Sequence, residues 1–284
     1  MMLRFTILFV VALWLWSPLT VAQPADPSAL ASGQGGLSLS VGVGQLTDPT
    51  IQNDDVPLYL LPQWYYYGDR FYVENLSFGW ALHESKQWQW DLLAEPNRDG
   101  LYYLDDDAAS LLGAATYGVP RGQMPQAKEA PLLLEQRDFS YLAGIQGQYF
   151  WDNHRLTLQG LTDVTGVHHG QQWLLGYASH WHWLGDWAIG AQLRGLSRDL
   201  NGYYYYLNAV EQQRQAAIGP PLDSATTPRS SINTQLQLDY QYPLSDNWAL
   251  VVHLQQQWRQ HYDPRLLSQN DSRLWFVGIR WTLL

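Results

Sequence analysis

Residues Ile232 to Tyr242 alternate strictly between two kinds of side chain. Ile232, Thr234, Leu236, Leu238, Tyr240 and Tyr242 fall on one face, with Asn233, Gln235, Gln237, Asp239 and Gln241 on the other. Successive side chains of a strand point to opposite faces, so this pattern predicts a ribbon with one apolar and one polar side. After Ser245-Asp246-Asn247 the rhythm resumes, with Trp248, Leu250, Val252 and Leu254 against His253, Gln255 and Gln257. Leu37, Leu39, Val41 and Val43 alternate with Ser38, Ser40, Gly42 and Gly44, and the same period runs through 139–149, 173–183, 187–194 and 275–283.

Extended over the chain, this reading predicts twelve strands near 37–46, 57–67, 71–82, 88–94, 100–104, 138–151, 155–162, 170–182, 187–198, 231–243, 248–258 and 273–283. The segment 100–104 alternates most weakly, and without it ten strands is the alternative. Tight connections fall at Gly68-Asp69-Arg70, Asp152-Asn153-His154, Leu184-Gly185-Asp186 and Ser245-Asp246-Asn247. Longer ones fall at 47–56, 105–136, 199–230 and 260–272. Short turns at one end and long loops at the other are the habit of outer-membrane barrels, which also carry aromatics where strands meet the two interfaces. Trp64 to Tyr67, Trp151, Trp183, Trp187, Trp248 and Trp281 fit that placement. A soluble β-sandwich shares the alternation but buries its apolar faces. The Gln-, Gly-, His- and Arg-rich polar face instead suits a hydrated barrel interior. The expected fold is an all-β, transmembrane, antiparallel up-and-down barrel with both termini in the periplasm.

Composition sharpens this picture. The chain has 284 residues, 46% hydrophobic and only 15% charged, with 15 Trp, 18 Tyr and no Cys. Disordered chains are poor in aromatics, so disorder is excluded. Without a thiol there is neither a disulfide frame nor a Cys-ligated metal. The net charge of -10 argues against nucleic acid as a partner. Arg4, the apolar run Phe5 to Trp16 and Thr20-Val21-Ala22 resemble a secretory signal, predicting cleavage after Ala22. Residues 1–22 are therefore read as a signal peptide, 23–36 as a flexible periplasmic lead-in and 37–284 as the barrel, in the outer membrane of a Gram-negative bacterium. Outer-membrane lipid and lipopolysaccharide are the expected surroundings.

Candidate chemistry is sparse. His168 and His169 lie near Asp163, a grouping that could hold a divalent metal, although a polar turn built on Gly166 and Gly170 explains it better. His180 and His182 share the polar face of one strand and are expected to line the lumen, bonded to Gln192 or Arg194. Arg194 and Arg280 facing Asp239 would make a charge arrangement across that lumen, either a filter or a plug. Asp105-Asp106-Asp107 lacks the spacing of a calcium loop. A nucleophilic serine needs a histidine within reach; Ser179 and His180 point to opposite faces, and Ser140 has no obvious partner. The expectation is a protein without catalytic residues, metal or cofactor. Tyr203, Tyr204 and Tyr205, in the loop 199–230, are candidates either for recognition by exposed aromatic area or for anchoring in lipid headgroups.

Four pieces of the chain, in order, resemble the MipA/OmpV family of outer-membrane proteins. They are Leu61-Pro62 through Tyr67 before Gly68-Asp69-Arg70-Phe71, Asp163-Val164-Thr165-Gly166-Val167-His168-His169-Gly170, Tyr203-Tyr204-Tyr205, and the closing strand to Trp281. The chain departs from the usual barrel ending, with Leu284 where a terminal aromatic is common. The resemblance implies a scaffold that bridges a murein lytic transglycosylase and a peptidoglycan synthase, and it brings no catalytic residues. A narrow passive pore and a surface antigen or adhesin acting through the Tyr-rich loops are the alternatives.

Overall fold

A computed structural model describes residues 33–47, 49, 55–103, 135, 137–218 and 227–283. The predicted signal peptide 1–22, the lead-in as far as residue 32, and the acidic run 105–107 lie outside the described residues.

Twelve strands form: β1 Gln34–Leu46, β2 Val56–Tyr67, β3 Phe71–Glu74, β4 Ser77–Glu84, β5 Trp88–Pro96, β6 Tyr141–Trp151, β7 His154–Asp163, β8 Gln171–His182, β9 Asp186–Leu196, β10 Ser231–Ser245, β11 Trp248–Trp258 and β12 Asp271–Thr282. Each pairs with its neighbour in sequence. β1 also pairs antiparallel with β12, from Ser38↔Thr282 to Leu46↔Leu274, which closes the barrel. Closure suits a bilayer, where an unpaired backbone N–H or C=O finds no water. The predicted faces segregate as expected: Val41, Val43, Ile145, Leu158, Leu236 and Trp275 are exposed on the outside, and glutamines line the inside. An apolar exterior around a polar interior is the arrangement of a transmembrane barrel.

The number of strands agrees with the alternation, but two of its assignments do not. The predicted strand 71–82 is broken at Asn75, whose φ of 51° turns the chain back. The Asn75 carboxamide oxygen accepts from the Trp64 backbone N–H at 3.0 Å and holds that turn against β2. β3 therefore has four residues, about 13 Å of rise, and stops partway up the wall. The predicted strand 100–104 is absent, because Arg98–Tyr103 forms a 3-10 helix. One strand gained and one lost leave the total at twelve and reverse the direction expected for β5. The lead-in also ends earlier than expected, since Gln34–Gly36 already belong to β1.

This topology sorts the connections onto two ends. Residues 68–70, 85–87, 152–153, 183–185 and 246–247 make the turn end; 47–55, 97–140, 164–170, 197–230 and 259–270 make the loop end. The turn end carries most of the paired rings, among them Trp88 with Tyr149 at 4.7 Å, Trp187 with Tyr240 at 4.2 Å, and Trp248 stacked on Trp281 at 5.8 Å.

The loop end is folded. The predicted loop 199–230 contains two helices, α1 Arg198–Tyr205 and α2 Ala209–Ile218. Ser197 starts α1 by accepting from the Leu200 N–H, the usual work of a serine N-cap. Leu200 and Tyr204, one turn apart on a helix face, are both fully buried. They pack with Tyr205, Leu207, Leu266 and Leu267 onto Leu93, Leu142, Leu161 and Leu196 at the tops of the strands. This apolar cluster caps the barrel.

Candidate functional site

Below the cap the interior is polar and open. Gln148, Thr157, Gly176, Gln192, Gln235 and Gln257 are paired in register from β6 to β11, making one continuous inward rung. The next rung toward the turn end runs Arg155, Ala178, Gly190, Gln237 and Gln255. Small residues on β8 and β9 leave room in front of the glutamines, and a Cβ placed on Gly190 would touch nothing closer than 3.7 Å. The result is a cavity of ≈ 400 Å³ beneath the cap and a second of ≈ 560 Å³ toward the turn end, sharing Gln192, Gln237, Asp239 and Gln255.

Six sequence-predicted lumen residues line this space, with partners other than those expected. Arg194 does not face Asp239. It reaches up into the cap, where its guanidinium makes a two-pronged bond to Asp99 and its Nε donates to Gln172 at 2.6 Å. Arg280 donates to Gln241 at 2.7 Å. Asp239 pairs with His253 and accepts from Gln237 at 2.7 Å. His182 bonds Asp186 at 2.5 Å, not Gln192 or Arg194. His180 lines both cavities between them. Arg194 thus leaves the expected cross-lumen charge arrangement for a local pair that fastens the cap, whereas Arg280 and Asp239 stay within electrostatic reach of each other.

That fastening is made of buried charge. Asp99 accepts from Arg194 and from the Tyr205 hydroxyl, and Arg259 lies 5.4 Å from the Tyr205 ring centre. Burial opposes the charge on Asp99, but Arg194 outweighs it and holds the carboxyl below its usual range. A second buried pair, Arg137 with Glu211 at 2.7 Å, ties α2 to the segment before β6. Arg137 also donates to the Tyr206 carbonyl. Glu211 accepts from the backbone N–H groups of Glu135 and Asn208, so the carboxylate is satisfied from three sides. The tyrosines expected to present aromatic area are largely inside: Tyr204 and Tyr205 are buried and Tyr203 is partly buried against the same cluster.

The loop 164–170 carries the arrangement that most resembles chemistry. Asp163 accepts from Thr165 N and Oγ1 and from the N–H groups of His168 and His169, at 2.7–2.9 Å. Four donors occupy the carboxylate, so it organises the turn instead of offering oxygens to a metal. His169 is exposed in a left-handed conformation at φ 55°. His168 is buried, and its Nε2 lies 3.1 Å from Ser140 Oγ, a partner the sequence did not reveal.

Serine, histidine and aspartate within reach of one another invite a hydrolase reading, and the proton positions oppose it. The Gly170 N–H donates to His168 Nδ1 at 2.9 Å. Burial holds the imidazole below its usual pKa and hence neutral, so the single ring proton sits on Nε2. Nε2 then donates to Ser140, Ser140 donates to the Tyr204 hydroxyl at 3.1 Å, and Tyr204 donates to the Asp138 carbonyl at 2.9 Å. A general base must accept the serine proton; here the bond runs the other way, in a pocket where Ser140 is fully buried. The chain of donors sews the 164–170 loop to α1.

The family model described as MltA-interacting protein MipA matches residues 39–261. No curated protein matches the chain. Among solved structures, the outer membrane protein OprD from Pseudomonas aeruginosa is similar at 9% identity and a TM-score of 0.36, over 87% of this chain and 65% of that one. The Pseudomonas putida toluene transporter TodX is similar at 10% identity and 0.35, over 92% of each chain. An anion-selective porin from Comamonas acidovorans reaches 10% and 0.34, over 89% of this chain and 99% of that one. Likeness at this level says nothing about function.

Proposed function

The chain belongs to the family of MltA-interacting proteins, and on that premise we propose that it is a non-enzymatic outer-membrane scaffold bridging a murein lytic transglycosylase and a peptidoglycan synthase. The observation that carries this reading is the family match across 39–261. Loops and cap face outward in this reading, and the short turns and both termini face the periplasm, where murein enzymes work. The rim then offers one prominent element. Trp183 is 72% exposed on the turn 183–185, and Leu184 there adopts φ 49°, a costly conformation for a bulky residue. Two bonds hold the turn: Trp187 Nε1 donates to the Trp183 carbonyl at 2.9 Å and the Tyr240 hydroxyl to the Leu184 carbonyl at 2.6 Å. A rigid apolar tip of this kind suits a docking partner.

The cap weighs against the passive-pore alternative, and the burial of Tyr204 and Tyr205 against recognition by exposed tyrosines. The test is a crosslinking pull-down from the native envelope with a tag in the 23–36 lead-in, run on the wild type and on Trp183→Ala. Recovery of a transglycosylase and a synthase, reduced in the variant, is the expected result. Recovery of only unrelated barrels and the barrel-assembly machinery would overturn the scaffold reading.

A further inference from the structure

The polar chamber inside the barrel has no part in a scaffold that works through its rim, yet its lining is specialised. Nine glutamines line the cavity beneath the cap, and Gln192, Gln235 and Gln257 stand side by side on β9, β10 and β11. A carboxamide offers donors and an acceptor from one planar group, which matches solutes whose hydroxyl and amide groups both donate and accept. Charge in the same cavity is nearly balanced: Arg98, Arg155 and Arg194 against Glu74, Glu95, Asp99 and Asp239. A chamber built to select ions would carry one sign.

Among the described residues, two buried polar atoms in this lining have no hydrogen-bond partner, Gln159 Oε1 and Arg155 Nε. Gln159 is only 8% exposed. An unmet acceptor in such a place costs stability, and a small turn of the side chain toward the chamber would let an entering molecule satisfy it. The two residues lie four apart on β7, about 13 Å along the strand, with Thr157 between them on the same face. An acceptor at one end, a donor at the other and a glutamine rung running on from Thr157 along the wall describe a slot for an elongated polar molecule. Its volume of ≈ 400 Å³ falls within the roughly 300–1,000 Å³ of ordinary ligand pockets. The apolar cluster around α1 packs at the loop end, and the second cavity, lined by His182 and Asp186, extends toward the turn end.

We propose that this chamber is a binding site for neutral saccharides, entered from the turn end. Arg155 and Gln159 receive the ligand on β7, and the glutamines of β9 to β11, farther along the same arc of wall, bond its hydroxyl or amide groups. The proposal does not depend on the scaffold reading, because it concerns the lumen and not the rim.

The test is calorimetric titration of the full-length barrel, refolded in detergent, with maltose and with N,N′-diacetylchitobiose. Heat-modifiable migration on a gel checks folding of every variant. Saturable binding of at least one sugar is expected, weakened tenfold or more in Gln192→Leu/Gln235→Leu. Gln159→Leu, on β7, supplies a variant on a separate strand and should weaken binding as well. Absence of saturable binding of both sugars to the folded wild type would overturn the proposal, as would binding unchanged in both folded variants.

Discussion

The two ends of this barrel use the same residue types in opposite ways. At the loop end, the carboxylates of Asp99, Glu211 and Asp263 are 4%, 0% and 0% exposed, and each is paired with an arginine. At the turn end and in the lumen below the cap, Asp186 and Asp239 are 55% and 40% exposed and pair with histidines. A buried ion is tolerated only when paired and hydrogen-bonded, and breaking such a pair costs several kcal/mol. An exposed pair contributes little. The packing at the loop end therefore depends on a few buried charges, whereas the turn end is an aromatic rim whose charges are dispensable. We infer from this division that the barrel is shut at the loop end and open at the turn end.

The largest effect expected from breaking that contrast comes from Asp99→Ala. It removes the carboxylate that pairs with Arg194 and accepts from the Tyr205 hydroxyl, a loss of about 3–5 kcal/mol by the measure of buried pairs. Hydrogen exchange of residues 198–207 should accelerate strongly while strand amides stay protected. Ser140→Ala cuts the donor chain between His168 and Tyr204 and should cost the cap about 1–3 kcal/mol. Thermal unfolding resolved by exchange would measure it.

Acid should act on the same end. His168 is held below its usual value by burial, so the unfolded chain takes up a proton first, and its contribution is full above about pH 6.5 and lost as pH falls. Asp99 is also depressed, with Arg194 outweighing burial, so its contribution is full above about pH 4 and lost as pH falls toward its folded value. Both signs agree: limited proteolysis should cut the cap more readily at pH 4 than at pH 7 while the barrel resists at both. His182→Ala, at the opposite end, should change stability by no more than about 1 kcal/mol, read from the midpoint of heat-modifiable unfolding. A larger loss there would erase the contrast.

The barrel was legible because its walls obey a local rule. Alternation from Ile232 to Tyr242 states which side chains face lipid, and β10 and β11 follow it residue by residue. Asn75 was misread because its turn falls inside a run that keeps its apolar character on both sides. The 3-10 helix at 98–103 was misread because a few alternating residues cannot distinguish a short strand from a turn of helix. The cap left almost no local trace. Its bonds join residues far apart in sequence, with Asp99 meeting Tyr205 across 106 positions and Ser140 meeting Tyr204 across 64. A run of four tyrosines has no period to read, so the sequence allowed them to be exposed where packing buries them. Alternation names the polar face of each strand, but the partners of its residues depend on strand register and on the cap, which alternation does not encode.

The most direct test of one closed end and one open end uses the absence of cysteine in this chain. A single cysteine is placed in the lumen by Gln237→Cys or on the outer surface of the cap by Asp199→Cys, and each is exposed to a membrane-impermeant maleimide. The account predicts that Asp199→Cys labels on intact cells, whereas Gln237→Cys labels only after the outer membrane is permeabilised. Labelling of Gln237→Cys on intact cells as fast as Asp199→Cys would contradict it, because the loop end would then be open.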